Sequence, residues 1–183
     1  MPKIVCIDGN IGAGKSTLLN KLASLGFTVF PENHNDWLWA LDQCTVDPAR
    51  WAFTLQVAVL ASMAVQKQAV DQLTNSVVFI ERCPESSMIF TRMWYEGGSL
   101  VPEEYNLVCQ LYSLLRWQPD VTVKLATAPD ECFERIIRRG RPCEASISID
   151  YLNQLDTAYN QLDALVLDTV EPNALLALLK VEV

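Results

Sequence analysis

A glycine-rich segment directly after the first apolar run constrains the fold of this chain more than any other feature. Over residues 9–16 it reads Gly-Asn-Ile-Gly-Ala-Gly-Lys-Ser, which fits the pattern G-x-x-x-x-G-K-[ST]. The apolar run Lys3–Ile7 precedes it, and a helical pattern over Lys15–Leu25 follows. In a strand–loop–helix setting, backbone N–H groups and the helix N-terminus surround phosphate oxygens. The segment is therefore predicted to bind nucleotide phosphates rather than to be a glycine turn without a ligand.

The residue types within this loop predict separate contacts. The ammonium of Lys15 is expected to reach the β and γ phosphates, and the hydroxyl of Ser16 to ligate Mg²⁺. Glu81 ends the apolar run Val77–Ile80, where an acidic residue suits ligation of the same ion. Arg82 beside it could hold a phosphate or position a carboxylate, unless the two are a plain surface pair. The predicted phosphate-binding residues are Gly9, Asn10, Ile11, Gly12, Ala13, Gly14, Lys15, Ser16 and Thr17.

Short apolar runs alternate with longer helical patterns along the chain, which predicts an α/β fold with a parallel sheet. Ligands of such sheets bind at the carboxyl ends of the strands. In one run Thr122 and Lys124 alternate with apolar residues, as on a half-exposed strand. The predicted strands are Lys3–Ile7, Thr28–Pro31, Val77–Ile80, Val121–Leu125 and Leu165–Leu167. The predicted helices are Lys15–Leu25, Asp36–Leu41, Pro48–Leu73, Pro84–Tyr95, Pro102–Leu115, Pro129–Arg139, Asp150–Leu162 and Pro172–Leu179.

Composition narrows the class of protein. The 183 residues fit a single domain, 1–183, and the net charge of −8 argues against nucleic acid or an anionic membrane as the main partner. Six cysteines form no C-x-x-C pair, which favours a reducing compartment, and no targeting segment is visible, so a cytoplasmic location is expected. The most apolar stretch, Trp51–Val65, reads as too short and too polar to span a bilayer.

The segment after the second predicted strand is acidic and indicates the kind of phosphoryl acceptor. Glu32 follows Pro31, and no Lys or Arg occurs from Leu22 to Ala49. A phosphate acceptor would need a cation here, whereas a neutral hydroxyl needs a carboxylate that aligns it and takes its proton. By the strand-end rule Glu32 is expected to face the phosphate loop. The alternative is that Glu32 only caps the following helix.

The long helical pattern carries candidates for binding a flat heterocycle. Gln56, Val59 and Met63 lie at positions i, i+3 and i+7 and so share one face. The Gln56 amide could hydrogen-bond a ring edge in a slot shaped by the two apolar side chains, and Trp37 is a candidate to stack on the ring. Periodicity alone favours the alternative that this stripe belongs to the core.

Arginines concentrate near the end of the sixth predicted helix. Glu131 with Arg135, and Glu134 with Arg138, have the spacing of helix-surface pairs. Arg139 has no such partner, nor does Arg141. These two are expected to neutralise phosphate charge from a mobile lid over about 138–149, unless they simply complement the helix dipole.

The chain from Lys3 to about Asp168 resembles the deoxyribonucleoside kinases, which include the herpesviral thymidine kinases and related cellular enzymes. The markers stand in the family's order and spacing, and include Gly9–Lys15, Pro31-Glu32 with Trp37, Trp51 with Gln56, Glu81-Arg82-Cys83, and Pro129, Glu134-Arg135-Ile136, Arg139-Gly140-Arg141, Glu144 and Tyr151-Leu152. The resemblance implies a P-loop kinase fold, with a five-stranded parallel sheet of order 2-3-1-4-5, and a homodimer.

The resemblance also implies roles for individual residues. Glu32 would be the base for the 5′-hydroxyl with Arg82 near it, Gln56 would pair with the base edge, and Trp37 would shape the base pocket. The remaining implied roles are these: Ser16 and Glu81 share magnesium, Arg139 and Arg141 clamp phosphates, and Glu144 reaches the sugar 3′-hydroxyl. The family tyrosine that helps bind this hydroxyl is missing, with Thr45 at the nearest aligned position, and Pro142 and Cys143 replace acidic lid residues.

Substrate choice follows from two positions. Purine- and cytidine-preferring members place an Arg–Asp pair where this chain has Met63 and Ser87, and the neutral pocket with Val59 resembles the pyrimidine type. We therefore expect ATP-dependent phosphorylation of the 5′-hydroxyl of thymidine, with deoxycytidine second. The alternatives are a nucleoside-monophosphate kinase, which shares the loop and the arginine lid, and a nucleotide-binding regulator without catalysis.

Overall fold

The computed structural model describes residues 1–181 and contains one parallel sheet of five strands, ordered β2-β3-β1-β4-β5. The sheet confirms both the predicted α/β class and the strand order implied by the family resemblance. The central strand β1 pairs with β3 on one side and β4 on the other, so the segment after β1 leaves from the middle of the sheet. The strands are β1 Lys3–Gly9, β2 Thr28–Phe30, β3 Val77–Glu81, β4 Val121–Leu125 and β5 Leu165–Leu167.

Eight α-helices occur among the described residues, and five of them begin at a proline. Proline suits the first helical position because its N–H would have no intrahelical partner there and its φ is already helical. The helices are α1 Lys15–Ser24, α2 Leu38–Cys44, α3 Pro48–Asp71, α4 Pro84–Glu96, α5 Pro102–Leu115, α6 Pro129–Arg139, α7 Ile149–Tyr159 and α8 Pro172–Leu179.

The contacts within the chain divide it into two compact units. Unit 1 comprises Met1–Pro31, Thr74–Glu81 and the chain from Pro119 onward, and unit 2 comprises Glu32–Leu73 and Arg82–Gln118. Unit 1 holds the whole sheet with α1, α6, α7 and α8, and unit 2 holds α2 to α5. The expectation of one domain over 1–183 stays a prediction.

Element boundaries differ from the predicted ones where local geometry intervenes. The second strand ends at Phe30, since Pro31 has no N–H for the ladder. The second helix lies over Leu38–Cys44 instead of Asp36–Leu41, because a 3₁₀ turn over His34–Asp36 comes before it. The prediction of a half-exposed Lys124 is wrong. This lysine is buried in β4, and its ammonium donates to the side-chain oxygen of Asn160.

Helix α3 extends beyond the apolar stretch Trp51–Val65 at both ends, close to its predicted bounds of Pro48–Leu73. It spans 24 residues, and by length and composition alone it is the one helix of the described part of the chain that could cross a membrane. The expectation that the stretch Trp51–Val65 does not span a bilayer stays a prediction. A core helix passes the same test, and α3 packs on α2, α4 and α5 within unit 2. It buries Ala52, Leu55, Gln56, Leu60, Met63 and Val70.

Candidate active site

The glycine-rich loop of unit 1 folds around the ammonium of Lys15. Nζ of this buried lysine donates to the carbonyl oxygens of Gly9, at 3.2 Å, and Asn10, at 2.9 Å. Gly12 and Gly14 have φ values of +81° and +100°, a region that residues with a Cβ avoid. The glycines therefore allow the backbone to turn closely enough for the lysine to lie inside the loop.

Hydrogen bonds to later parts of the chain fix the backbone of this loop from outside. Thr127 Oγ1 and Arg135 Nη1 donate to the carbonyl oxygen of Ala13, at 2.9 and 3.0 Å, and Asn10 Nδ2 donates to the carbonyl of Leu152 at 2.9 Å. The carbonyl and N–H of a trans peptide point in opposite directions, so fixing the Ala13 carbonyl fixes the direction of the Gly14 N–H. These hydrogen bonds thus fix the loop in a conformation in which its N–H groups can bind an anion.

Two of these contacts were not foreseen from the sequence. Thr127 follows β4 with no motif of its own, and Arg135 has the spacing of a surface pair with Glu131. Arg135 does pair with Glu131, and the same guanidinium also contacts Gly12 and Ala13. Arg135 therefore makes a helix-surface ion pair and contacts the glycine-rich loop at the same time.

Ser16 and Glu81 lie together where α1 begins and β3 ends. Ser16 Oγ is 3.0 Å from Oε2 and 3.2 Å from Oε1 of the buried Glu81. Hydroxyl and carboxylate oxygens are the donors that Mg²⁺ prefers. The two residues therefore fit a magnesium ion held together with nucleotide phosphates.

The two arginines at the end of α6, which have no partner at helix-surface spacing, share a carboxylate from the segment that follows the helix. Glu144 Oε1 lies 2.6 Å from Arg139 Nη2 and 3.4 Å from Arg141 Nη1, and Oε2 lies 3.0 Å from Arg139 Nε. Gly140, at φ +65°, ends the helix and turns the chain back, which brings Glu144 to the arginines. Helical spacing does not predict this pair, because the chain leaves the helix between its members. The predicted Glu134–Arg138 pair does not occur among the ion pairs of the described residues.

In unit 2, a guanidinium holds the carboxylate predicted to act as the base. Arg82 Nε lies 3.2 Å from Glu32 Oε2, and the arginine is 5% exposed with its guanidinium 4.9 Å from the centre of the Phe90 ring. Arg82 has a φ of +67°, an uncommon conformation for a residue with a side chain. Such strain is typical of functional sites. His34 Nε2 lies 3.9 Å from the same carboxylate oxygen.

The predicted base-binding side chains lie within unit 2, and several belong to its core. Gln56 is buried, and its Oε1 accepts a 2.9 Å hydrogen bond from Thr91 Oγ1 on α4. Trp37 is buried in a cluster with Ala40, Cys44 and Leu55, against which Val59 packs, and its ring lies 5.0 Å from that of His34. Met63 and Ser87 are also buried. Thr91 was not predicted, although its position four residues after Ser87 places both on one face of α4.

The predicted site residues divide between the two units. Unit 1 holds the phosphate loop, Ser16, Thr17, Glu81, Arg139, Arg141 and Glu144, and unit 2 holds Glu32, Trp37, Gln56, Val59, Met63, Arg82 and Ser87. That Glu32 faces the phosphate loop, and each assigned role, stays a prediction.

Burial keeps two thiols neutral. Loss of hydration raises the pKa of Cys132, on α6, to about 11, with Lys15 and Arg135 opposing that shift. The same cause raises the pKa of Cys44, in the Trp37 cluster, to about 11. Neither thiol is a nucleophile at neutral pH, because the thiolate is the reactive form. Neither Cys44 nor Cys132 is therefore a candidate nucleophile of the site.

Known proteins similar in sequence to this chain include several that are named as nucleoside kinases. Residues 5–173 match the family model described as deoxynucleoside kinase. The chain is 33% identical over 161 residues to a putative deoxynucleoside kinase of Frog virus 3 (isolate Goorha), covering 88% of this chain and 83% of the relative. It is 34% identical over 161 residues to a deoxyadenosine kinase of Dictyostelium discoideum, covering 86% and 65%. A probable deoxycytidine kinase of Fowlpox virus (strain NVSL) is 33% identical over 162 residues, covering 84% and 68%. With its parallel sheet, its phosphate loop and a family match over most of its length, the chain belongs to the deoxynucleoside kinase family.

Proposed function

We propose that this deoxynucleoside kinase transfers the γ-phosphoryl group of ATP to the 5′-hydroxyl of a pyrimidine deoxynucleoside, with thymidine first and deoxycytidine second. The observation that carries the proposal is the Glu32–Arg82 pair, in which a buried guanidinium holds a partly exposed carboxylate at 3.2 Å. A carboxylate suits an uncharged alcohol, because it can orient the hydroxyl and accept its proton. It would repel a nucleoside monophosphate.

In the proposed reaction, Glu32 accepts the proton of the 5′-hydroxyl while the sugar oxygen bonds to the γ-phosphorus. The bond between that phosphorus and the bridging oxygen breaks, and ADP leaves with its electron pair. Phosphoryl transfer asks little covalent chemistry of a protein, so positioning and charge stabilisation supply most of the rate. Arg82 contributes by fixing the carboxylate in one orientation.

Unit 1 supplies the groups for the triphosphate. The loop N–H groups and Lys15 bind its oxygens, and Ser16 and Glu81 hold Mg²⁺, which would neutralise phosphate charge. Arg139 and Arg141 are proposed to clamp the phosphates, and Glu144 to reach the sugar 3′-hydroxyl. For both to occur, the ion pairs between Glu144 and the arginines must open when substrates bind.

The neutral character of the predicted base pocket supports a pyrimidine. Met63 and Ser87 stand where purine- and cytidine-preferring members of the family carry an Arg–Asp pair. Two similar proteins are named for deoxyadenosine and for deoxycytidine, so a comparison of bases separates this proposal from the substrates in those names. A homodimer is proposed on the resemblance, and sedimentation equilibrium would test it.

A panel of the four deoxynucleosides plus thymidine monophosphate, each offered with ATP and Mg²⁺, tests the proposal. We expect thymidine to have the highest kcat/KM, followed by deoxycytidine. Faster use of deoxyadenosine or deoxyguanosine would overturn the pyrimidine preference. Turnover of the monophosphate alone would favour a nucleoside-monophosphate kinase. No turnover of any acceptor, with ATP still raising the melting temperature, would favour a non-catalytic regulator.

A further inference from the structure

The buried hydroxyl of Thr91 contacts the amide that is proposed to read the nucleobase. Thr91 Oγ1 lies 2.9 Å from Oε1 of Gln56 and 2.9 Å from the carbonyl oxygen of Ser87, one turn earlier in its own helix. Thr91 is 0% exposed, and Gln56 and Ser87 are each 2% exposed. A hydrogen bond this deeply buried restricts the rotation of the Gln56 amide, because solvent offers no alternative partner.

A count of protons shows that this hydroxyl can hold the amide in two orientations. Thr91 has one hydroxyl proton and two acceptors. When it donates to Gln56 Oε1, the amide directs Nε2 and its two N–H bonds away from Thr91. When it donates to the Ser87 carbonyl, as helical threonines often do, its lone pairs can accept from Nε2 of a rotated amide, whose Oε1 then faces away. An apolar side chain of the same shape would hold neither orientation.

The unpartnered hydroxyl of Ser87 is a second, separate observation that points to a ligand at this face of α4. Among the described residues, Ser87 Oγ is one of two fully buried side-chain polar atoms with no hydrogen-bond partner, the other being Oε2 of Glu85. A buried hydroxyl without a partner is unfavourable, because it has lost the hydrogen bonds that water would make to it. Ser87 and Thr91 are four residues apart and project from the same helix face, which meets Gln56. A heteroatom of a ligand entering there would satisfy the hydroxyl.

We propose that Thr91 is a positioning residue that lets Gln56 read two nucleobase edges, with Ser87 as a further hydrogen-bonding group for the base. The inference rests on the proposed function and specifies its substrate class. Cytosine presents a ring-nitrogen acceptor beside an amino donor, and it matches an amide with Nε2 outward. Thymine presents a ring N–H between carbonyls, and it matches an amide with Oε1 outward. The Thr91 hydroxyl thus supports both pyrimidine deoxynucleosides.

Three variants test this. Thr91→Val removes the hydroxyl and keeps the shape, and Thr91→Ser restores the hydroxyl. Thr157→Val is the matched control, because Thr157 Oγ1 makes the same bond to a carbonyl four residues earlier, 2.9 Å from Asn153 O, on an exposed position of α7. The measurements are kcat and KM for thymidine and for deoxycytidine, the KM for ATP, and the melting temperature. If Thr91→Val does not fold, Thr91→Ala takes its place.

We expect Thr91→Val to raise the KM of both nucleosides by about 5- to 20-fold, the effect of losing roughly one neutral hydrogen bond. The kcat and the KM for ATP should stay within about twofold, since the phosphate groups and Glu32 are untouched. Thr91→Ser should restore both nucleoside KM values, and Thr157→Val should change neither.

Three results would overturn the inference. An unchanged nucleoside KM, or a rise confined to one of the two pyrimidines, contradicts an amide held in two orientations. A fall in kcat together with a rise in the KM for ATP would show that Thr91 has a general structural role instead. Failure of the proposed function is distinguishable, because it would already appear as absent pyrimidine turnover in the wild-type enzyme.

Discussion

The backbone carbonyl of Cys132 occupies the space that a side chain on Gly12 would need. A Cβ at Gly12 would lie 2.6 Å from that carbonyl oxygen, and the residue has a φ of +81°. Helix α6 therefore packs directly against the phosphate loop, and a glycine is what permits this approach. The loop and the helix that carries Arg135 and Arg139 form one packed assembly within unit 1.

This relationship predicts a large difference between two glycine substitutions. Gly26 has a similar φ, +89°, but nothing lies within 4 Å of a Cβ built there. Gly26→Ala should therefore cost only the strain of a left-handed backbone, about 1–2 kcal/mol. Gly12→Ala should cost more, because the carbonyl of Cys132 must also move. Thermal unfolding without ligand measures both, and equal melting temperatures would contradict the packing argument.

A second prediction concerns the proposed base. Glu32→Gln keeps the shape and a hydrogen-bonding oxygen but loses the ability to accept a proton from the 5′-hydroxyl, so kcat should fall by roughly 10²- to 10⁴-fold. The melting temperature should also fall, because the buried guanidinium of Arg82 loses its counter-charge, so turnover is compared at a temperature at which the variant is folded. Glu171→Gln is the control, since it removes an exposed ion pair with Lys21. Near-normal turnover in Glu32→Gln would exclude Glu32 from proton transfer.

The Ser16–Glu81 contact predicts how a variant should respond to magnesium. Ser16→Ala removes the hydroxyl that we propose as a Mg²⁺ ligand at the start of α1, so the Mg²⁺ concentration for half-maximal activity should rise by about tenfold or more. Ser24→Ala, at the exposed end of the same helix, removes a hydroxyl whose bond goes to the carbonyl of Asn20. It should leave the Mg²⁺ titration unchanged. Superimposable titrations for both variants would remove Ser16 from the metal site.

Sequence patterns predicted the local features of this protein well because their causes are local. The glycine-rich loop lies between β1 and α1 as predicted, since its glycines and lysine interact within eight consecutive residues. The five helices that begin at a proline were predicted for the same reason, because proline favours the first helical position locally. The strand order came from the family resemblance, because periodicity within a strand carries no information about its neighbours.

The predictions that failed depend on partners that are distant in sequence or lie across a turn. The alternating pattern predicted a half-exposed Lys124, but this lysine is buried and its ammonium donates a hydrogen bond to the side chain of Asn160. The pair of Arg139 with Glu144 was not predicted, because helical spacing does not extend past Gly140, where the chain reverses toward Glu144. Thr91 was not predicted, because its contact with Gln56 depends on α4 packing against α3, which no single segment encodes.

The buried thiols predict that the protein loses stability at alkaline pH. Burial raises the pKa of Cys44 and of Cys132 from 9.0 to about 11. Between those values the unfolded chain releases thiol protons that the folded chain retains. Stability rises with pH only where the unfolded state binds more protons, so the free energy of unfolding must fall across this window.

Denaturant titrations with a reductant, between pH 8 and pH 11, measure this decline. Each thiol can contribute a slope of up to about 1.4 kcal/mol per pH unit. Cys132→Ala and Cys44→Ala should each flatten the curve, whereas Cys143→Ala, at a less buried position, serves as the control. The alkaline pKa of Tyr112, which burial and then Glu85 raise, adds to the wild-type slope and remains in all three variants. A slope in Cys132→Ala equal to that of the wild type would mean that this thiol ionises alike in the folded and unfolded chains.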